Sequence, residues 1–139
     1  MNISADASGI ITNTSLYPFA DTVQRLLSAL KDRGIKIFAI IDQQAEAKSA
    51  GLSMPPTTLI LFGNPKAGTP LMLAQPASGL DLPLKVLITE SVAGQVLVRY
   101  NDASYISRRH GMAPELAANL APVEKLIAHT VAQQSDSVD

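Results

Sequence analysis

The sequence contains no cysteine, no tryptophan and few aromatic residues, which make up 4% of its 139 positions. The absence of cysteine excludes disulfides, thiolate zinc sites and a cysteine nucleophile. Neither sign of charge is in excess, because 11 basic residues face 12 acidic ones and the net charge is −1. The chain therefore lacks the basic excess that is typical of proteins binding nucleic acid or anionic membranes, and we expect neither partner.

Long apolar segments are also missing. The longest, Ile35 to Ile41, is interrupted by Lys36 and falls short of the roughly 18–20 residues that a membrane-spanning helix needs. Residues 1–8 have neither the basic start nor the apolar run of a secretory signal, so we expect a cytoplasmic protein.

The length fits one domain over residues 1–139, with fraying at residues 1–8 and 133–139. Hydrophobic residues make up 47% of the chain, enough for one core without covalent cross-links, while charged residues make up only 17%. So little charge suggests that another subunit covers part of the surface. Exposed strand edges point the same way, because their unpaired backbone groups can pair with another chain. We therefore expect a homodimer.

Periodicity in the first half predicts strands and helices in turn. Gly9 to Thr14 is rich in β-branched residues, as strands are. From Pro18 to Gly34 apolar residues recur at helical spacing, and glycine is typical of a helix end. Ile35 to Ile41 reads as a buried strand, after which Asp42 can cap a short helix that runs through Lys48.

The second half contains three more strands and closing helices. Thr57–Phe62 is a strand, and Leu84–Thr89 with Val96–Tyr100 reads as a hairpin. A short helix over 102–109, capped by Asn101 or Asp102, precedes helices that break at Pro122. Because strands and helices do not alternate regularly after the third strand, this order favours an α+β fold over a doubly wound parallel sheet.

The segment after the third strand is unusual. Gly63 and Gly68 permit tight backbone turns, and Asn64 or Thr69 can cap a helix that begins at Pro65 or Pro70. Free amides at such a turn can bind a small anion, with Lys66 as the counter-charge. A rigid structural turn explains the same residues equally well. A nucleotide-binding P-loop is excluded, since Thr69 stands where that motif requires lysine.

This segment, residues 62–72, resembles the signature of the domain-of-unknown-function family DUF302. The similarity continues through residues 81–85, Tyr100-Asn101 and Arg109-His110, and covers about residues 11–111. It implies a curved, mainly antiparallel sheet of about five strands around a long helix, in the order strand, helix, four strands, helix, similar to the TATA-box-binding-protein topology. It implies no established activity. Gln43 stands where the family commonly has histidine, which removes a ligand for any metal or haem.

Polar residues of these motifs fall at strand ends, and we expect them to converge at the mouth of a hollow beside one rim of the sheet. The expected ligand-binding residues are Asp42, Asn64, Lys66, Gly68, Thr69, Lys85 and Tyr100. His110 with Arg109 is the candidate catalytic pair, as an acid/base and an anion clamp. The alternative places His110 at a helix end and pairs Arg109 with Asp42 or Asp81 in a structural salt bridge.

Metal and cofactor sites are not expected. The two histidines, His110 and His129, lie 19 residues apart outside any metal-binding motif. Three functions stay open: a small domain that binds an anionic ligand, an enzyme acting on a small anionic metabolite, and a structural or assembly module without a ligand.

Overall fold

The computed structural model describes residues 5–132, and its framework is one antiparallel sheet. The strands are β1 (Ile10–Thr14), β2 (Lys36–Asp42), β3 (Thr57–Gly63), β4 (Leu84–Glu90) and β5 (Val96–Asn101). Their spatial order is β1-β5-β4-β3-β2, so β1 and β2 form the two edges. Every neighbouring pair is antiparallel, which confirms the predicted α+β class and the five-stranded sheet. Of residues 1–8 and 133–139, where we expected fraying, 1–4 and 133–139 lie outside the described residues. In residues 5–8, Ala5 bridges to Ile11 and the Asp6 carboxylate accepts from the N–H groups of Ser8 and Ile10.

Helices connect and cover the strands. They are α1 (Phe19–Asp32), α2 (Gln43–Ser49), α3 (Pro65–Ala74), a 3-10 turn (Pro76–Leu80), α4 (Ala103–His110), α5 (Pro114–Ala117) and α6 (Pro122–Ala132). The region between β3 and β4 contains α3, which begins at one of the two positions that the sequence allows, and the 3-10 turn. Asn64 caps α3 and Pro65 occupies its first turn, so the helix uses the earlier of the two starts that the sequence allows. None of the helices within residues 5–132 has the length and apolarity needed to cross a membrane.

Helices α1 and α6 cover one face of the sheet, which we call the first face. Helix α1 contacts β2 and β4, and α6 contacts β1 and α1. The predicted helical stripe is the buried one, with Leu26, Leu27 and Leu30 all below 9% exposed. Against it lie alternate residues of the central strands, Ile60, Phe62, Val86, Ile88 and Val98. Alternation along each strand thus places one set of side chains in the core.

A second, smaller core continues from the sheet at one end. Leu71 of α3, Ile106 of α4 and Leu120 are buried together there, with Leu84 of β4 joining the two cores. This is the end at which β3 finishes and β4 begins. Leu84 thus links this end of the sheet to α3 and α4, and the candidate site is located in the same region.

Gly9 lets the chain pass very close to α4 just before β1. Its φ is +84°, and an added Cβ would lie 2.4 Å from the Tyr105 ring. Gly94, in the β4–β5 turn, has a similar φ of +89°, but a Cβ added there would have no neighbouring atom within 4 Å.

These two glycines give a matched stability prediction. Gly94→Ala introduces only backbone strain, which costs about 1–3 kcal/mol. We expect Gly9→Ala to lower the free energy of unfolding by clearly more, because the Tyr105 ring must also move. Urea denaturation of both variants measures the difference, and equal losses would contradict the close approach.

Candidate functional site

A cleft of about 560 Å³ opens at the end of the sheet between α3, the start of α6 and the turn into β4. Its walls are mostly apolar, and the polar side chains along it are Asn64, Thr69 and Asn119. The principal apolar side chains are those of Phe38, Phe62, Met72, Leu82, Leu84 and Val123. The predicted hollow beside the 63–70 segment is therefore present, with an apolar interior.

Local sequence explains why this space is left open. β3 ends at Gly63 and α3 begins at Pro65, and Gly68 in the first half of α3 lines the cleft. A Cβ at Gly68 would find its nearest neighbour, Cδ1 of Leu82, at 4.0 Å. Since a larger side chain at this position would extend into the cleft, Gly68 contributes to its volume.

The amides at the start of α3 are hydrogen-bonded within the segment, which favours the rigid structural turn over the anion seat, the two alternatives that the sequence left open. The side-chain oxygen of Asn64 accepts from the Lys66 N–H at 2.9 Å. The Asn64 carbonyl accepts from the N–H groups of Ala67 and Gly68 at 2.9 and 2.8 Å. Pro65 has no N–H to offer. The first turn of α3 is thus satisfied internally, as in a rigid structural turn.

The expected ligand-binding residues do not all converge. Asn64, Gly68 and Thr69 line the cleft, but the exposed Lys66 is not among its lining residues. Asp42 was misplaced by our prediction: it pairs with Thr58 across β2 and β3, whereas Gly63 pairs with Lys36. About 17 Å of strand separates the two ends. Asp42 instead caps α2 through the Ala45 N–H at 2.9 Å.

Asp81 joins the two residues of the candidate catalytic pair. Its carboxylate lies 2.6 Å from Nε2 of His110 and 3.1 Å from the guanidinium of Arg109. His110 is the last residue of α4 and its side chain is only 5% exposed, while that of Arg109 is 48% exposed. The arrangement contains the structural salt bridge that we considered as the alternative to catalysis. Neither His110 nor Arg109 lines the apolar cleft.

A second, very small cavity brings together the other predicted polar residues. Asp81, Lys85, Tyr100 and Asn101 line it with Glu124, but its volume is only about 10 Å³. That volume is close to the space of one water molecule and too small for a metabolite. Among residues 5–132, no three His, Asp or Glu side chains are placed to hold one metal ion.

Glu124 is an organising residue that the sequence did not reveal. Its carboxylate accepts from the Ala103 N–H at 2.6 Å and so caps α4, the role that we assigned to Asn101 or Asp102. The backbone carbonyl of Glu124 accepts from the Tyr100 hydroxyl at 3.3 Å. The same hydroxyl accepts from the side-chain amide of Asn13. Because Glu124 lies 21 residues beyond Ala103, in another helix, no local capping pattern could have identified it.

Burial shifts the pKa of both the Tyr100 hydroxyl and the Glu124 carboxyl. It raises the pKa of Tyr100 to about 12. It also raises the pKa of Glu124, with a further contribution from the neighbouring carboxylate of Asp102. The Asn13–Tyr100–Glu124–Ala103 contacts thereby connect β1, β5, α6 and the start of α4.

The fold and the cleft define a small α+β domain with an open apolar site at one end of its sheet. The family model described as "Domain of unknown function DUF302" matches residues 11–131, so the chain belongs to this family. The crystal structure of an uncharacterized conserved DUF302 protein from Bacillus stearothermophilus has the same fold. It superposes with a TM-score of 0.75 at 19% identity, covering 90% of this chain and 97% of that one.

Curated relatives from Brucella carry a different description. A protein of Brucella suis biovar 1 named fluoride-specific ion channel FluC 1 is 41% identical over 105 residues, covering 76% of this chain. A protein of Brucella melitensis biotype 1 named FluC 2 matches at the same identity. The chain spans 41% and 39% of their lengths, respectively.

The Asp81 contacts predict unequal costs for two substitutions. Asp81→Ala leaves the buried His110 imidazole without its partner, which we expect to lower the free energy of unfolding by about 1–3 kcal/mol. Arg109→Ala removes a largely solvated contact and is expected to cost about 0.2–1 kcal/mol. Denaturation at neutral pH compares them, and an equal or larger loss for Arg109→Ala would overturn this reading.

Glu124 predicts a pH effect with a defined sign. Because its pKa is raised above the ordinary 4.5, the folded state holds a proton that the unfolded state has already released. This contribution to stability is fully present below the unfolded pKa and is lost as pH rises through the folded pKa. Glu124→Gln should remove this pH-dependent loss of stability, so that the variant gains stability relative to the parent as pH rises.

Urea denaturation from about pH 4 to about pH 8 measures this difference directly. Glu115→Gln is the matched control, since Glu115 is an exposed acidic residue in the first turn of α5. Its stability curve should run parallel to that of the parent. A parallel curve for Glu124→Gln as well would refute the effect.

Proposed function

We propose that this domain binds a small, mainly apolar molecule in the cleft at the end of the sheet. The observation that carries the proposal is the apolar cleft of about 560 Å³, whose lining includes Phe62, Gly68, Leu82 and Val123. Binding sites for small molecules are commonly concave, apolar and about 300–1,000 Å³ in volume. The cleft fits this description without rearrangement of the chain.

Exposed apolar side chains at the cleft support the same proposal. Phe38 is 44% exposed and Met72 is 37% exposed, and both line the space. Covering such surface with an apolar ligand is favourable by roughly 25 cal/mol for each Å² removed from water. Asn64, Thr69 and Asn119 provide a few polar groups that would orient the bound molecule.

The chemistry of the walls favours an apolar ligand over the small anion considered from the sequence. The amides at the start of α3 are already bonded within the helix, and Lys66 is not among the residues that line the cleft. Arg109 already pairs with Asp81. These groups give an anion no preorganised site, so an anionic ligand is not part of the proposal.

The enzyme hypothesis receives less support from the geometry. His110 is nearly buried against Asp81 and is not among the cleft-lining residues, so nothing in the geometry brings the imidazole to a molecule bound in the cleft. General acid/base catalysis needs the imidazole within hydrogen-bond distance of the reacting group. We therefore assign the Asp81–His110 contact a structural role.

Titration with a neutral fluorophore, N-phenyl-1-naphthylamine, tests the proposal. We expect saturable binding to the parent chain. Gly68→Leu should weaken it by about tenfold or more, because the new side chain occupies the cleft. Ala74→Leu is the matched control: it enlarges an exposed position of the same helix that does not line the cleft, and should bind like the parent.

Thermal unfolding of both variants establishes that they are folded. Sodium fluoride and inorganic phosphate, added as competitors, test the anionic alternative, and we expect neither to displace the fluorophore. Non-saturable binding to the parent, or equal binding by both leucine variants, would refute the proposal and favour a structural module. Displacement by fluoride would instead connect this cleft with the activity for which the Brucella relatives are named.

A further inference from the structure

Polar and apolar side chains of the cleft differ in their exposure to solvent. The polar ones, Asn64, Thr69 and Asn119, are exposed, whereas Phe62 and Leu120 of the same lining are buried. The hydrogen-bonding groups therefore lie towards the mouth of the cleft, and its floor is apolar. A molecule that matches this order has an apolar body and a polar head group.

The lining of the cleft carries no charge. In the part of the chain that the structure describes, no Asp, Glu, Lys, Arg or His is among the residues that line it. A charged head group that entered the cleft would lose contact with water and gain no counter-charge. The lining therefore favours a neutral head group.

The three polar side chains keep hydrogen-bonding capacity for a ligand. The orientation of Asn64 is fixed, because its Oδ1 accepts from the Lys66 N–H at 2.9 Å and only the donor Nδ2 is left. Within residues 5–132, the Thr69 hydroxyl and the Asn119 side-chain amide form no hydrogen bond, and both can donate. The mouth thus offers a set of neutral donors, of which Nδ2 of Asn64 has no accepting alternative.

We propose, on the basis of the proposed function, that the ligand of this cleft is a neutral molecule with an apolar body and one hydrogen-bond acceptor at its end, such as the carbonyl oxygen of a ketone or an ester. The body lies against Phe62 and Leu120, and the carbonyl oxygen accepts from Nδ2 of Asn64. A pure hydrocarbon would cover this donor without pairing it, which is unfavourable. A carboxylate would pair with it but lack a counter-charge.

Three competitors with chains of equal length test the head group: 2-octanone is a neutral acceptor, octanoate an anionic acceptor and octylammonium a cationic donor. Each is titrated against the parent chain loaded with N-phenyl-1-naphthylamine at about pH 8, where the latter two are charged. We expect 2-octanone to displace the fluorophore with an apparent Kd about tenfold or more below those of the other two.

Asn64→Asp is the variant that isolates the donor. Its carboxylate can still accept from the Lys66 N–H, and an acidic residue is favourable at the start of a helix, so the fold and the cap should be kept. The variant loses Nδ2 and gains a negative charge. We therefore expect 2-octanone to bind about tenfold more weakly than to the parent, and octylammonium to bind more tightly.

Gln95→Glu is the matched control. It makes the same change from amide to acid at an exposed residue between β4 and β5 that does not line the cleft, and should keep the parent's order of affinities. Thermal unfolding establishes that both variants are folded. If Asn64→Asp does not fold, the order of the three competitors on the parent chain decides.

The outcomes distinguish the head group from the cleft itself. Saturable fluorophore binding with equal displacement by all three competitors, or with octanoate as the tightest, would overturn the neutral acceptor and leave the proposed function standing. An unchanged order of affinities in a folded Asn64→Asp would do the same. Failure of the fluorophore to bind the parent saturably would overturn the proposed function, and the head-group assignment with it.

Discussion

Burial of one face of a five-stranded sheet beneath two helices is the constraint on which the rest of this structure depends. Alternate side chains of the strands and the apolar stripe of α1 form the main core. Because α6 must pack on the same face and against α1, its first turn is held at one end of the sheet. There it closes one side of the cleft and brings Glu124 to the start of α4.

That end of the sheet shows how distant parts of the chain are joined. Tyr100, at the end of β5, donates to the backbone of α6, and the Glu124 side chain of α6 caps α4. Helix α4 in turn carries His110 to Asp81, just before β4. The polar contacts are thus used to fasten helices to the sheet, while the neighbouring apolar cleft remains open. This division is why we assign binding to the cleft and structural roles to the polar cluster.

The sequence predicts much of the framework because its signals are local. Alternation in β5 and the helical stripe of α1 each follow from one segment, as does the capping of α2 by Asp42. The prediction failed where the answer depended on partners from elsewhere. The cap of α4 was expected from Asn101 or Asp102, but Glu124, 21 residues beyond Ala103, supplies it. Convergence of Asp42 with Asn64 failed because β2 and β3 are antiparallel, which separates those ends.

Site chemistry is less predictable from sequence than fold. The cleft results from the apolar surfaces of Phe38, Leu82 and Val123, which come from three separate parts of the chain and resemble ordinary core residues in the sequence. The most direct test of the central claim is an amide chemical-shift titration with a neutral apolar probe. We predict that the saturable shifts concentrate at Phe38, Gly68 and Leu82 and leave Gly51 and Gly94 unchanged. Shifts scattered over the surface, or confined to the sheet face opposite α1 and α6, would contradict the assignment of the cleft as the binding site.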